Sequence, residues 1–228
     1  MSFVLSKYSF KSNALLDKIK SEFMQELDKI RSTKMYPKGE ILYEEGSNPK
    51  AVYRLKSGKV KIEQLSLDGK IRIVYVYTQG EFFGFRPLLS NEKHPVSAIF
   101  LEDSEVEIYE GKEFIEISKK APNLSFNLVE ILSFEFNVWI NLISSLSHKS
   151  AKEKIALILL ILNEKYRNVN GKSEITMTKS DIAKYSETSE ETVVRVIGFF
   201  EEQEILKNQG RTLEIMNPKL LEIIAEGF

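Results

Sequence analysis

The sequence predicts an α+β chain of three consecutive parts: a small antiparallel β-roll, one long apolar helix, and a helical head closed by a short hairpin. Three patterns carry this. From Met35 the apolar residues alternate, and Gly46, Gly58, Gly69 and Gly80 recur at intervals of 12, 11 and 11, which places a turn after each short strand. Pro122–His148 then runs without Gly, internal Pro, Lys or Arg. Beyond Ser150 the apolar period is helical again, broken by short polar turns. The domains expected are therefore 1–121, 122–148 and 149–228.

In chain order, Leu15, Leu16, Ile19, Phe23, Leu27 and Ile30 have helical spacing and predict one amphipathic helix from Asn13 to Ile30. Val60–Glu63, 71–77 and 106–109 alternate as strands, and Asp68-Gly69 marks a hairpin. Together these form an antiparallel jelly roll. In 122–148, Val129, Leu132, Phe136, Trp139, Ile143 and Leu146 are three and four residues apart, the spacing of a coiled-coil seam. Leu124, Leu128, Ile131, Val138 and Leu142 form a second apolar face, so this helix needs two partners: its own domain and another subunit. A membrane span is the rival, since the length nearly suffices. Glu130, Glu135 and the asparagines make it costly, and no Lys/Arg clusters flank both ends. After a polar break at Ser147–Ser150 comes a helix from Ala151 to about Tyr166, apolar at Ile155, Leu159 and Leu162, then a turn at Asn168–Gly171.

Composition narrows the chemistry. Of 228 residues, 43% are hydrophobic and 29% charged, as in folded soluble proteins. The chain has no cysteine, which excludes disulfides, thiolate-held iron–sulfur clusters, cysteine zinc sites and cysteine nucleophiles. Two histidines, His94 and His148, are too few for a histidine-built metal centre, so no metal site is expected. The start, Met-Ser-Phe-Val-Leu-Ser-Lys, lacks the apolar core of a signal peptide, and a cytoplasmic location is expected. Net charge is −1, and residues 149–228 hold 12 basic against 13 acidic side chains. Contact with a polyanion must rest on how charges are arranged.

The head carries the functional pattern. Met177–Ser186, a short turn, and Glu191–Leu206 read as helix, turn, helix, with small Ala183 at the crossing. Gln209-Gly210-Arg211 between two apolar pairs is a hairpin, giving a winged helix-turn-helix. Ser189 or Thr188 can cap the second helix, whose inward face is Val193, Val196, Ile197 and Phe200. Its outward face near the start presents Glu190, Glu191, Val194, Arg195 and Gly198. Arg195 can pair with guanine, Glu191 can accept from cytosine, and Val194 can touch a thymine methyl. Thr178, Lys179, Ser189, Thr192 and Arg211 are placed for phosphates. A plainer reading stands beside this one: Thr188 and Glu191 form a capping box, and Glu191 pairs with Arg195 across one helical turn.

The segments Met35-Tyr-Pro-Lys-Gly-Glu-Ile-Leu-Tyr-Glu-Glu-Gly, Tyr53-Arg-Leu-Lys-Ser-Gly-Lys-Val, Gln79-Gly-Glu-Phe-Phe-Gly and Ser189-Glu-Glu-Thr-Val-Val-Arg, in this order, resemble the Crp–Fnr transcription regulators. The resemblance runs from about Met35 to Leu213. It implies a cyclic-nucleotide-binding-domain-like roll, a dimerisation helix, and a homodimer that binds a pseudo-palindrome in double-stranded DNA and meets RNA polymerase. It carries the base-reading role to Glu191 and Arg195 and puts an effector pocket around Gly84, Phe85, Arg86, His94, Val96 and Trp139.

The departures from the family pattern are specific. Gly84-Phe85 and His94-Pro95-Val96 stand where cyclic-AMP binders keep a ribose carboxylate and a phosphate arginine, and Trp139-Ile140 where they reach adenine. That argues against cyclic AMP, and the missing cysteines argue against the heme and iron–sulfur branches. Arg86 reads as a surface arginine at a strand end, with anion binding as the alternative. Glu190 and Glu187 replace a usual arginine and the turn glycine, so the half-site should differ from the family's. The expectation is a bacterial regulator that is no enzyme, answers to an unknown effector or none, and has no membrane partner. Kept beside it are a ligand-binding or interaction module with a degenerate head and a cupin-like metalloenzyme.

Overall fold

The computed structural model describes residues 5–170 and 174–227. They form two compact units: residues 10–70 with 74–136, and residues 5–9, 71–73, 137–170 and 174–227. The division falls inside the long helix, which the sequence reading kept whole as a segment of its own.

Eight strands build the roll: β1 (Arg31–Tyr36), β2 (Ile41–Tyr43), β3 (Ala51–Ser57), β4 (Val60–Leu65), β5 (Ile71–Tyr77), β6 (Phe82–Phe83), β7 (Ser97–Phe100) and β8 (Ser104–Glu110). They pair in two four-stranded sheets ordered β1-β8-β3-β6 and β2-β7-β4-β5. The register sets Tyr53 opposite Ile108 and Lys61 opposite Ile99. Alternation turns Val52, Val60, Ile62, Ile73, Tyr75 and Val106 inward. Three helices accompany the sheets: α1 (Ser21–Lys29), α2 (Phe85–Ser90) and α3 (Gly111–Lys120).

The helix expected over 13–30 is broken. A 3₁₀ turn at Ser12–Ala14 is followed by turns, and only α1 is α-helical. Lys18 takes a left-handed φ of 57°. The carbonyls of Leu15, Asp17 and Lys18 accept hydrogen bonds from the side-chain amides of Asn127 and Asn123 at 2.8–3.0 Å, so tertiary partners replace the helical ladder. Strand β1 also begins at Arg31, ahead of the expected switch of period.

The long helix α4 (Pro122–His148) has the length and composition of a membrane span. Its Leu124, Leu128 and Ile131 are nevertheless buried in one core with Leu15, Leu27, Val52, Phe85, Tyr109 and Phe114. Later on the helix Val138 and Leu142 are buried within the second unit, where Asn141 donates to the Lys7 carbonyl and the Tyr8 and Ser145 hydroxyls share a hydrogen bond of 3.0 Å.

The head holds α5 (Ala151–Asn170), β9 (Glu174–Thr176), α6 (Lys179–Ser186), α7 (Glu190–Glu202), β10 (Leu206–Gln209), β11 (Thr212–Ile215) and α8 (Pro218–Glu226). Ile155 to Leu162 are all buried, because α5 is packed on several sides, by α6, α7, α8 and β9. Helix α5 continues to Asn170, beyond the predicted end near Tyr166 and through most of the turn expected at Asn168–Gly171; Gly171 lies outside the described residues. Strand β9 and helix α8 were not expected from the sequence.

Gly58 joins β3 to β4 with φ +94°, and a Cβ built there would lie 2.0 Å from Ser104 Oγ and 2.8 Å from Ser104 Cα. Gly69, with φ +78°, has no atom within 4 Å of such a Cβ. Gly58→Ala should therefore cost roughly 2–3 kcal/mol or more, combining strain and overpacking, and Gly69→Ala about 1 kcal/mol. Urea unfolding of the two variants measures the difference.

Candidate DNA-binding head and effector pocket

Both helices of the helix-turn-helix start on side-chain caps. Thr178 Oγ1 accepts from the Asp181 N–H at 3.0 Å and donates to its carboxylate at 2.8 Å. Ser189 Oγ accepts from the Thr192 N–H at 3.1 Å, and the two hydroxyls are 2.8 Å apart. Ser189 is thus the cap of α7, while the Thr188 hydroxyl bonds that of Ser186 at 2.9 Å; the capping box expected from Thr188 and Glu191 does not form. No Glu191–Arg195 ion pair forms either. Glu187 ends α6 at φ 51°, ψ 47°, the left-handed conformation that glycine adopts most easily. Its carboxylate makes an exposed ion pair with Arg72 at 3.3 Å.

Helix α7 buries Val193, Val196, Ile197 and Phe200, and Ala183 is buried on α6. The period then turns Glu190, Glu191, Val194 and Arg195 outward, all exposed, with Gly198 half-exposed. Two acids therefore flank the one arginine on this face. Among the phosphate candidates, Thr178, Ser189 and Arg211 are exposed, and Lys179 and Thr192 are half-buried. Lys179 is already engaged: Nζ donates to Asn208 Oδ1 at 3.0 Å and to the Gly210 carbonyl, tying the start of α6 to the wing. Burial lowers its pKa. Asn208 N–H in turn donates to Glu201 Oε1 at 3.2 Å.

On α4 the exposed apolar stripe is Phe126, Val129, Phe136, Ile140 and Ile143. From the predicted seam, Val129, Phe136 and Ile143 are exposed, whereas Leu132, Trp139 and Leu146 are half-buried. The stripe is rotated from that seam toward Phe126 and Ile140, which also stand at three- and four-residue spacing. Neither Phe126 nor Ile140 belongs to the two apolar faces expected from the spacing, and packing alone leaves them on the surface.

The pocket residues of the roll are more dispersed. Gly84 starts α2 at φ +81°, where a Cβ would sit 2.6 Å from the Tyr53 ring, so glycine is required by both conformation and space. Phe85 is fully buried. Arg86 is not the surface arginine expected at a strand end. Its Nε donates to Glu135 Oε2 at 3.0 Å, Nη2 contacts the same oxygen, and Nη1 donates to the Tyr77 hydroxyl at 2.8 Å. The guanidinium also lies over the rings of Phe85 and Phe10, 4.9 and 5.3 Å from their centroids. Glu135 is 2% exposed. Burial pushes its carboxyl pKa up and Arg86 pulls it back, the first effect being larger. His94 stacks on Tyr43 with centroids 3.8 Å apart, and its Nε2 is buried without a hydrogen bond. Val96 is half-buried, and Trp139 belongs to the other compact unit.

These residues do not fit a cyclic nucleotide. Arg86 is paired with a buried glutamate, Phe85 is a buried ring, and His94 is a neutral imidazole stacked on Tyr43. Among the described residues no cluster of three or more His, Asp or Glu converges on a metal position. Without cysteine the chain has no thiolates for an iron–sulfur cluster.

Burial lowers the pKa of His94 from 6.5 to about 4. The unfolded chain then binds the proton more readily, so stability is present above about pH 6.5 and is lost as pH falls toward 4, by up to about 3 kcal/mol. His94→Phe should flatten the pH dependence of urea unfolding in that window, and NMR titration should find one of the two histidines far below the usual range.

A family model described as cyclic nucleotide-binding domain matches residues 33–121, and a Crp-like helix-turn-helix domain matches 153–224. The fumarate and nitrate reduction regulatory protein of Yersinia pestis is 30% identical over 206 residues, 89% of this chain and 82% of that protein. The transcriptional activator protein Anr of Pseudomonas protegens is 30% identical over 211 residues, 90% of this chain and 86% of that protein. The structure of FixK2 from Bradyrhizobium japonicum shares the fold at TM-score 0.76 and 24% identity, over 85% of this chain and 96% of that one. In its roll, its long helix, its capped and winged helix-turn-helix and its sequence, the chain belongs to the Crp–Fnr family of DNA-binding transcription regulators.

Proposed function

We propose that the chain acts as a cytoplasmic homodimer that pairs through the α4 stripe and reads a pseudo-palindromic operator, with half-sites about one helical turn apart. The observation that carries this is the face of α7: Val193, Val196, Ile197 and Phe200 hold the helix in the core while Glu190, Glu191, Val194 and Arg195 project from its first turns. In this reading Arg195 pairs with a guanine and Glu191 accepts from a cytosine. Glu190 repels phosphate and shifts the preferred half-site. Ser189, Thr192, Thr178 and Arg211 position the backbone, and Lys179 acts indirectly by holding the wing that carries Arg211. The stripe from Phe126 to Ile143 supports pairing: its exposed apolar residues are three, seven, four and three apart, one helix face interrupted by Ser133, and such faces bury one another in a helix pair. The controlling signal is not cyclic AMP, consistent with the Arg86–Glu135 pair, and any response passes through the roll to α4 and on to the heads about Ser147–Ser150. Contact with RNA polymerase completes the role.

Footprinting on DNA upstream of the chain's own operon tests the reading. Sequence-preferring, salt-sensitive protection is expected, and binding that ignores sequence under every condition would leave only an interaction module with a degenerate head. Arg195→Ala should cost roughly 1–3 kcal/mol and relax preference at one base pair of each half-site. On the dimer, Phe136→Glu places a charge in the stripe. Sedimentation should show the dissociation constant raised at least about a hundredfold, the order expected for a charge placed in a desolvated seam.

A further inference from the structure

An unbroken chain of rings crosses the interior of the roll. Phe10 stacks on Tyr75 at 3.8 Å and 17°, Tyr75 meets Tyr77 edge-on at 4.8 Å, and Tyr77 stacks on Phe83 at 5.0 Å. Phe83 continues to Tyr43, which carries His94. The first ring is supplied by the segment that precedes the sheets. Its backbone is pinned as well: the Phe10 N–H donates to the Tyr75 hydroxyl at 2.9 Å, and that hydroxyl donates to buried Glu81 at 3.0 Å. Phe10 is 7% exposed. Just beyond it Ser12 and Leu15 are fully buried, and Asn127 and Asn123 of α4 hold the carbonyls that follow.

Phe10 also reaches the group that pairs with Glu135 of α4. The Arg86 guanidinium lies over its ring while it grips Glu135 and Tyr77. An arginine that packs against a ring is shielded from water on that side, which strengthens its pairing with a buried carboxylate. The ring therefore sits where a planar ligand would have to sit to touch both the tyrosines of β5 and Arg86.

We propose that the interior of the roll is a binding site for the chain's own Phe10, an internal aromatic ligand whose seating fixes the Arg86–Glu135 contact to α4. Because the ligand is tethered it is present at high effective concentration, and no external molecule is needed to fill the site. The consequence for DNA affinity rests on the regulator reading above. The coupling from Phe10 to α4 does not.

The test is hydrogen exchange on the full-length protein as Phe10→Ala and as Phe10→Leu, with benzene as the probe. The alanine variant leaves a ring-sized space on Tyr75; the leucine variant keeps apolar bulk and guards against global unfolding. Amides of α4 around Glu135 should exchange about tenfold faster in Phe10→Ala, and millimolar benzene should slow them again, since a dry apolar cavity takes up benzene. Faster exchange confined to residues before Ser21, with α4 unchanged in both variants, would overturn the proposal, as would α4 exchange that rises but ignores benzene. Operator affinity read in parallel should fall several-fold in Phe10→Ala and recover with benzene. If the wild-type chain binds no operator, the regulator reading fails while the exchange result still decides the fate of the internal ligand.

Discussion

Glu135 is a carboxylate on an apolar helix, nearly without exposure, and a charge so placed is tolerated only with a cation held against it. Arg86 meets that requirement. The demand reaches both ways along the chain. Arg86 must enter α2 at a fixed angle, which the left-handed Gly84 and the buried Phe85 ring set. Helix α4 must keep Glu135 facing the roll, which fixes the rotation of its part up to Phe136. With that rotation set, Leu124, Leu128 and Ile131 fall into the roll core, and Phe126, Val129 and Phe136 are left exposed.

The same pair explains why the roll departs from a cyclic-nucleotide site without losing its fold. A phosphodiester needs an arginine free to receive it, and here the nearby guanidinium is shared between a carboxylate, a phenol and two rings. Aromatic side chains fill the interior, and His94 joins them as a neutral ring. One oxygen of Glu135 accepts no hydrogen bond, the one polar imperfection in an otherwise satisfied pair. The head follows a parallel logic on a smaller scale. Caps at Thr178 and Ser189 fix where α6 and α7 begin, and Lys179 fixes the wing to α6. The exposed groups of α7 stand on this braced frame, in a head that carries no net positive charge.

What was readable in advance was local. Turn glycines, alternating strands, the helix-turn-helix with its wing, and the inward face of α7 all follow from period, cap chemistry and backbone preference, which act within a few residues. Strand β9 is not legible in the sequence because three residues carry too little period to detect. The opening helix was overpredicted because its apolar spacing is real, yet Asn123 and Asn127, more than a hundred residues away, take the carbonyls that the helix would have used.

The sequence by itself determined the order of the three parts, the exclusion of cysteine chemistry, and the residues that α7 can present, since each depends on composition or on neighbours along the chain. Only the tertiary structure decided that Phe126 and Ile140 join the exposed face of α4, that Arg86 is the half-buried ion-pair partner of Glu135, that Lys179 braces the wing, and that Phe10 packs on Tyr75. Each of those rests on groups dozens of residues apart brought within a few ångströms. Burial changes what a side chain does there: it turns an arginine that would serve an anion in water into the counter-charge of a glutamate.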